Sequence, residues 1–163
     1  MKDIEVLYIS GFPKEEFEIL KELDGLDINI PNNQNNINAL ALEPDAYIVI
    51  FSLFFASKVI EKLFDKVSEK LADKIISIIL RLWKKAKTIK PCLIQVNSDP
   101  IYKEPKVVIL FKISDEETSK LEITNKMDDK EIKSSIKTFL KLIELQYKNR
   151  KKELVLKNRL KNQ

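Results

Sequence analysis

Residues 44–90 read PDAYIVIFSLFFASKVIEKLFDKVSEKLADKIISIILRLWKKAKTIK; no proline interrupts them before Pro91, and no glycine follows Gly25. They open with ten nearly unbroken apolar residues, Tyr47 to Ala56, and close on IISIILRLW, Ile75 to Trp83. From Lys58 to Lys74 the pattern is amphipathic. Val59, Ile60, Leu63, Phe64, Val67, Leu71 and Ala72 recur at helical spacing. Opposite charges three apart line the other face: Lys58–Glu61, Lys62–Asp65, Lys66–Glu69 and Lys70–Asp73.

One straight helix over 45–87 would be roughly 65 Å long. A compact domain of this size is roughly 40 Å across. The segment must therefore break, turn partly into strand, or reach outside the domain. The helical spacing favours one or two helices packed on a sheet, with apolar ends buried across its centre. The charged middle argues against a membrane span, which needs about 20 apolar residues. Tyr47, Phe51, Phe54, Phe55 and Trp83 are the candidate interface if the apolar ends meet a partner instead of a core. Insertion of the two ends by a membrane-active oligomer is the third alternative. Trp83, followed by Lys84, Lys85 and Lys87, suits an interfacial anchor or an ordinary basic helix C-terminus.

Upstream, Ile4 to Ile9 reads as a strand. Pro13 suits the first position of a helix whose face carries Phe17, Leu20 and Leu23, and Gly25 suits its left-handed end. Leu26 to Ile30 is a short second strand. Pro31 to Asn36 (PNNQNN) is a loop, either a recognition surface or a solvated connector. Downstream, Cys92–Val96 and Lys106–Ile113 read as strands, and Thr118–Thr124 as a half-exposed one. Short polar loops between the last two argue for antiparallel pairing. Asp115, Glu116 and Glu117 make a strand-connecting turn rather than a metal site. Asp128-Asp129 offers an N-cap for a last helix faced by Ile132, Ile136, Phe139, Leu140, Ile143 and Tyr147.

The order β-α-β-loop-long α-β-β-β-α is that of a single α+β domain, helices packed on a mainly antiparallel sheet. Residues 1–147 form that domain, and 148–163 are a basic helix extension or tail.

The composition excludes more than it proposes. The 163 residues contain no histidine, one cysteine and two glycines. That removes the common general base, Ser-His and Cys-His nucleophiles, cysteine-rich metal sites and glycine-rich phosphate loops. The chain reads as non-enzymatic, with no cofactor called for. Cys92 fits a small buried hydrophobe in a reduced compartment. No secretory signal opens the sequence, so a cytoplasmic location is expected.

Charge gathers at the C-terminal end. From Lys126 to Gln163 there are twelve Lys/Arg against five Asp/Glu, while the rest of the chain is slightly acidic. Lys148, Arg150, Lys151, Lys152, Lys157, Arg159 and Lys161 are candidate contacts for phosphates or an anionic surface. The alternative is a solubilising helix end. No aromatic follows Tyr147 on which a base could stack.

The succession IEVLYI (4–9), a short helix, a long hydrophobic segment ending in RLWKKAK (81–87), then PCLIQV (91–96), KVVILFKI (106–113), KLEIT (120–124) and a final helix covers most of the chain. It resembles, in order and length, the bacterial accessory domains called effector-associated constant component 1, although no glycine-containing turn precedes the long segment as that group would have. The resemblance implies a non-enzymatic adaptor beside an effector and supplies no binding residues. The expectation is a bacterial interaction or adaptor protein of a defence or stress system, with a protein partner or a second copy. A nucleic-acid-binding module using the basic helix and a membrane-active effector using residues 47–83 are the alternatives.

Overall fold

A computed structural model describes residues 2–32, 47–64, 69–93 and 96–163. The main sheet has five strands in the order β2-β1-β3-β6-β7: β1 Ile4–Tyr8, β2 Ile28–Asn29, β3 Tyr47–Phe55, β6 Glu104–Lys112 and β7 Thr118–Thr124. Two-residue strands β4 (Cys92–Leu93) and β5 (Ile101–Tyr102) form a separate ribbon. A 3₁₀ helix spans Lys14–Glu22; the α-helices are α1 Ser57–Phe64, α2 Glu69–Ala86 and α3 Asp129–Lys161. The α+β reading is met.

The sheet is mixed. β1–β3 and the β6–β7 hairpin are antiparallel, as the short polar connection 114–117 dictates for the latter. β3–β6 is parallel because α1 and α2 carry the chain across one face between them.

The long segment is corrected at its head. Tyr47–Phe55 is not helix but the middle strand of the sheet, hydrogen-bonded to β1 and to β6. Its β-branched and aromatic side chains suit a pleated surface buried on both edges. A register shift between Val49 and Phe51 puts Ile48 and Ile50 inward before the break, and Phe51, Leu53 and Phe55 after it. The bulge erases the two-residue alternation that would betray a strand. The break demanded by length thus falls at Ala56, between β3 and α1.

Cross-strand rows Ile4–Phe55–Phe111, Val6–Leu53–Ile109 and Tyr8–Phe51–Val107 make one face of the sheet. Val59, Ile60 and Leu63 of α1, Ile75, Ile79, Leu82 and Trp83 of α2, and Ile132, Ile136 and Phe139 of α3 belong to the same core. Phe55 stacks on Phe111 at 4.6 Å between ring centroids, and Phe139 meets Phe111 edge-on at 5.7 Å. The candidate interface is therefore largely a core: Phe51, Phe55 and Trp83 are buried, and Tyr47 and Phe54 half-buried. Trp83 is no interfacial anchor.

The first helix is a 3₁₀ helix whose Phe17 and Leu20 cap the same core. Gly25 has φ +72°, the left-handed conformation expected of it. Lys58 and Lys62 do more than line a solvated face. Lys58 reaches Asp3 at 3.3 Å and Lys62 reaches the carbonyl of Gly25, tying α1 to the β1–β2 end. Asp3 also accepts from the Asp27 N–H at 2.9 Å. Burial works against its charge, but these bonds hold its carboxyl below the ordinary range. Cys92 is corrected too: it is exposed in β4, and Val96 lies in a turn, so no strand runs from 92 to 96. The asparagine stretch from residue 33, and the ion pairs expected at Lys62–Asp65 and Lys66–Glu69, lie outside the described residues.

Candidate functional site

α3 begins as a helix that the core requires and ends as one that nothing described covers. Its start is fixed by a reciprocal cap. The Glu131 N–H donates to Asp128 Oδ1 at 2.7 Å, and the Asp128 N–H donates to Glu131 Oε2 at 2.9 Å. Over the first four turns Ile132, Ile136, Phe139, Leu140 and Ile143 face the sheet. Tyr147 sets its ring 6.5 Å from that of Phe64, and half-buried Arg150 is the last residue that the body shields. From Lys151 to Gln163 every residue is exposed.

The helix spans 33 residues, about 50 Å at 1.5 Å per residue. The part from Lys148 to Lys161 accounts for about 21 Å of that. It carries seven cations and one carboxylate, Glu153. A free helix of this length is marginal in water; this one is templated by the packed turns that precede it.

The basic candidates are thus gathered on one arm. Lys148 pairs back to Glu144, and Lys151 lies 5.8 Å from the Tyr147 ring. Arg150 sits half-buried at the arm's root. There a cleft of about 410 Å³ opens between Ser57 of α1, the turn at Asp115, and Tyr147, Arg150 and Leu154. In that turn Lys112 bonds Asp115 at 2.9 Å. The bond, its charge and that of Arg150 hold the Asp115 carboxyl below its usual range. Asp115 is spoken for by a lysine, and Glu117 accepts from Gln146 at 3.3 Å, as a connecting turn requires. Lys152, Lys157, Arg159 and Lys161 lie further out, exposed.

Charge periodicity alone missed the leucines. Leu154, Val155, Leu156 and Leu160 are between 48% and 72% exposed, among the most exposed large apolar side chains described. Lys148, Lys151, Lys152, Val155 and Leu156 form one open, largely apolar strip along the arm. At 100° per residue the four apolar side chains spread over roughly 240° of the helix circumference, with cations in the gaps. The signal was present in the triplet LVL at 154–156, which no solvated helix end requires.

No family model, curated protein or solved structure matches the chain. Among the described residues no helix is long and apolar enough to cross a membrane, and no group of three His, Cys, Asp or Glu is placed to hold a metal ion.

Proposed function

We propose that the protein is a non-catalytic interaction module that offers its C-terminal arm, residues 148–161, to an acidic protein partner. The observation that carries this reading is the pairing of seven cations with four exposed aliphatic side chains on one projecting helix. The cations select an anionic surface. The leucines select among anionic surfaces. A membrane interface contacts one side of a helix and demands segregated faces, whereas these apolar residues ring the arm. A phosphate backbone offers nothing for Leu154, Leu156 or Leu160 to bury against. An acidic protein groove that wraps more than one side satisfies both. The role is the one implied by the resemblance to bacterial accessory domains. The stretch 47–55, on which the membrane-active alternative leaned, is occupied as the central strand.

The test compares the full chain with the variant Leu154→Ser/Leu156→Ser/Leu160→Ser, each used as bait in an extract of the cells that make it. Acidic proteins retained by the full chain should elute with rising salt and be absent from the variant. Equal recovery by both would contradict the reading. So would salt-dependent binding of duplex DNA by both, since nucleic-acid binding would need only the lysines that the variant keeps.

A further inference from the structure

We propose that the free edge of β7 and the adjoining flank of α3 form an isologous interface with a second copy of the chain. Among the described residues β7 pairs only with β6, so its outer row of backbone groups is open. An open edge recruits other strands unless charge blunts it. A lone lysine would do so here. The strand instead reads Thr-Ser-Lys120-Leu121-Glu122-Ile-Thr, in which a reversal about Leu121 brings Lys120 opposite Glu122 and Ser119 opposite the buried Ile123. Antiparallel pairing across a two-fold axis at Leu121 sets Lys120 opposite Glu122 of the other copy, twice. It also sets Leu121 opposite Leu121, and Thr118 opposite Thr124. Lys120 and Glu122 are exposed and 3.0 Å apart within the strand, and Glu122 also lies 3.5 Å from Lys106 of β6, so pairing across the axis exchanges the Lys120 bond for one to the other copy.

The helix layer fits the same operation. Phe139 of α3 reaches Phe111 on β6, and Gln146 accepts from the Ser119 hydroxyl on β7 at 2.9 Å, so α3 lies over the β6–β7 pair. Adding a copy at the β7 edge would set its α3 about two strand spacings away, ~10 Å, a helix-packing distance. The flank of α3 on the Gln146 side carries Ser135, Thr138, Leu142 and Asn149, without a charge among them. Leu142 is 49% exposed and Leu145, one turn round, 59%. Because α3 runs antiparallel to β7, the two basic arms would leave the dimer in opposite directions and avoid each other's charge. The operation closes on itself and leaves no further β7 edge.

Sedimentation of the full chain over a wide concentration range should show monomer going to dimer. Amides of β7 should exchange more slowly as concentration rises. Lys120→Glu sets like charges opposite each other twice and should weaken association about tenfold or more. Leu142→Lys, at an exposed position that leaves folding intact, should do the same through the helices. A chain monomeric throughout, or a dimer indifferent to both substitutions, overturns the proposal. A thermal midpoint equal to the parent's, at concentrations where the parent is monomeric, shows that either variant is folded. The arm's binding to its partner is measured separately, so the two readings fail independently.

Discussion

Phe55→Ala tests the architecture at its least expected point. Phe55 is 1% exposed, at the end of the middle strand. It stacks on Phe111 at an interplanar angle of 11° and lies opposite Ile4 on β1. Truncation removes a buried ring from a layer held on two sides by strands and above by helices, so the space collapses little. The transfer and cavity contributions together cost about 3–5 kcal/mol, against a total stability of about 5–15 kcal/mol for a domain of this kind. Phe54 points to the opposite face of the same strand, pairs with Glu5 and Leu110, and is only half-buried. Phe54→Ala should therefore cost markedly less, about 1–2 kcal/mol. The assay is urea unfolding followed by circular dichroism, with the slope compared between variants to confirm that the same surface is exposed. A helix over 47–55 would set Phe54 and Phe55 only about 100° apart, without the strand's opposition of faces. Equal costs for the two, or a cost below about 1 kcal/mol for Phe55→Ala, would refute the central strand.

Asp3→Asn should cost about 1–2 kcal/mol at neutral pH, by weakening a charged hydrogen bond and its pairing with Lys58. Because the folded carboxyl titrates below the unfolded one, this stability is present above about pH 4 and lost as pH falls through the folded value. Acid unfolding of the variant should accordingly be shallower than that of the parent. Asp128→Ala removes one half of the reciprocal cap on α3 and should cost about 1 kcal/mol by the same unfolding assay. Gly25→Ala forces a side chain into φ +72° beside the Lys62 ammonium and should lower stability by about 1–2 kcal/mol. The triple serine variant of the arm should unfold within about 0.5 kcal/mol of the parent, since none of the three leucines is buried.

Much of the fold is legible where one period dominates. α3 shows its cap, its core face and the point where that face runs out. β7 matches its expected bounds because polar turns bracket it. β3 was not legible as a strand, because a bulge hides its alternation and a helical pattern begins at Lys58. Cys92 was misplaced for another reason. Cys92-Leu-Ile-Gln-Val96 has strand composition, but among the described residues the ribbon pairs two on each side, and the thiol is exposed. Of the proposed interface, the cations were visible in the charge count. The leucines needed the fold, because their exposure follows from where the body stops shielding α3, after Arg150.

Photocrosslinking from inside the arm reports its partner in place. A benzophenone amino acid at position 156, with the same probe at exposed Glu18 as control, would be irradiated in cells that make the protein. An adduct is expected from position 156 alone, to a protein, with the attachment point inside an acidic segment. Adducts to lipid or nucleic acid, or identical patterns from both positions, would contradict the proposed function.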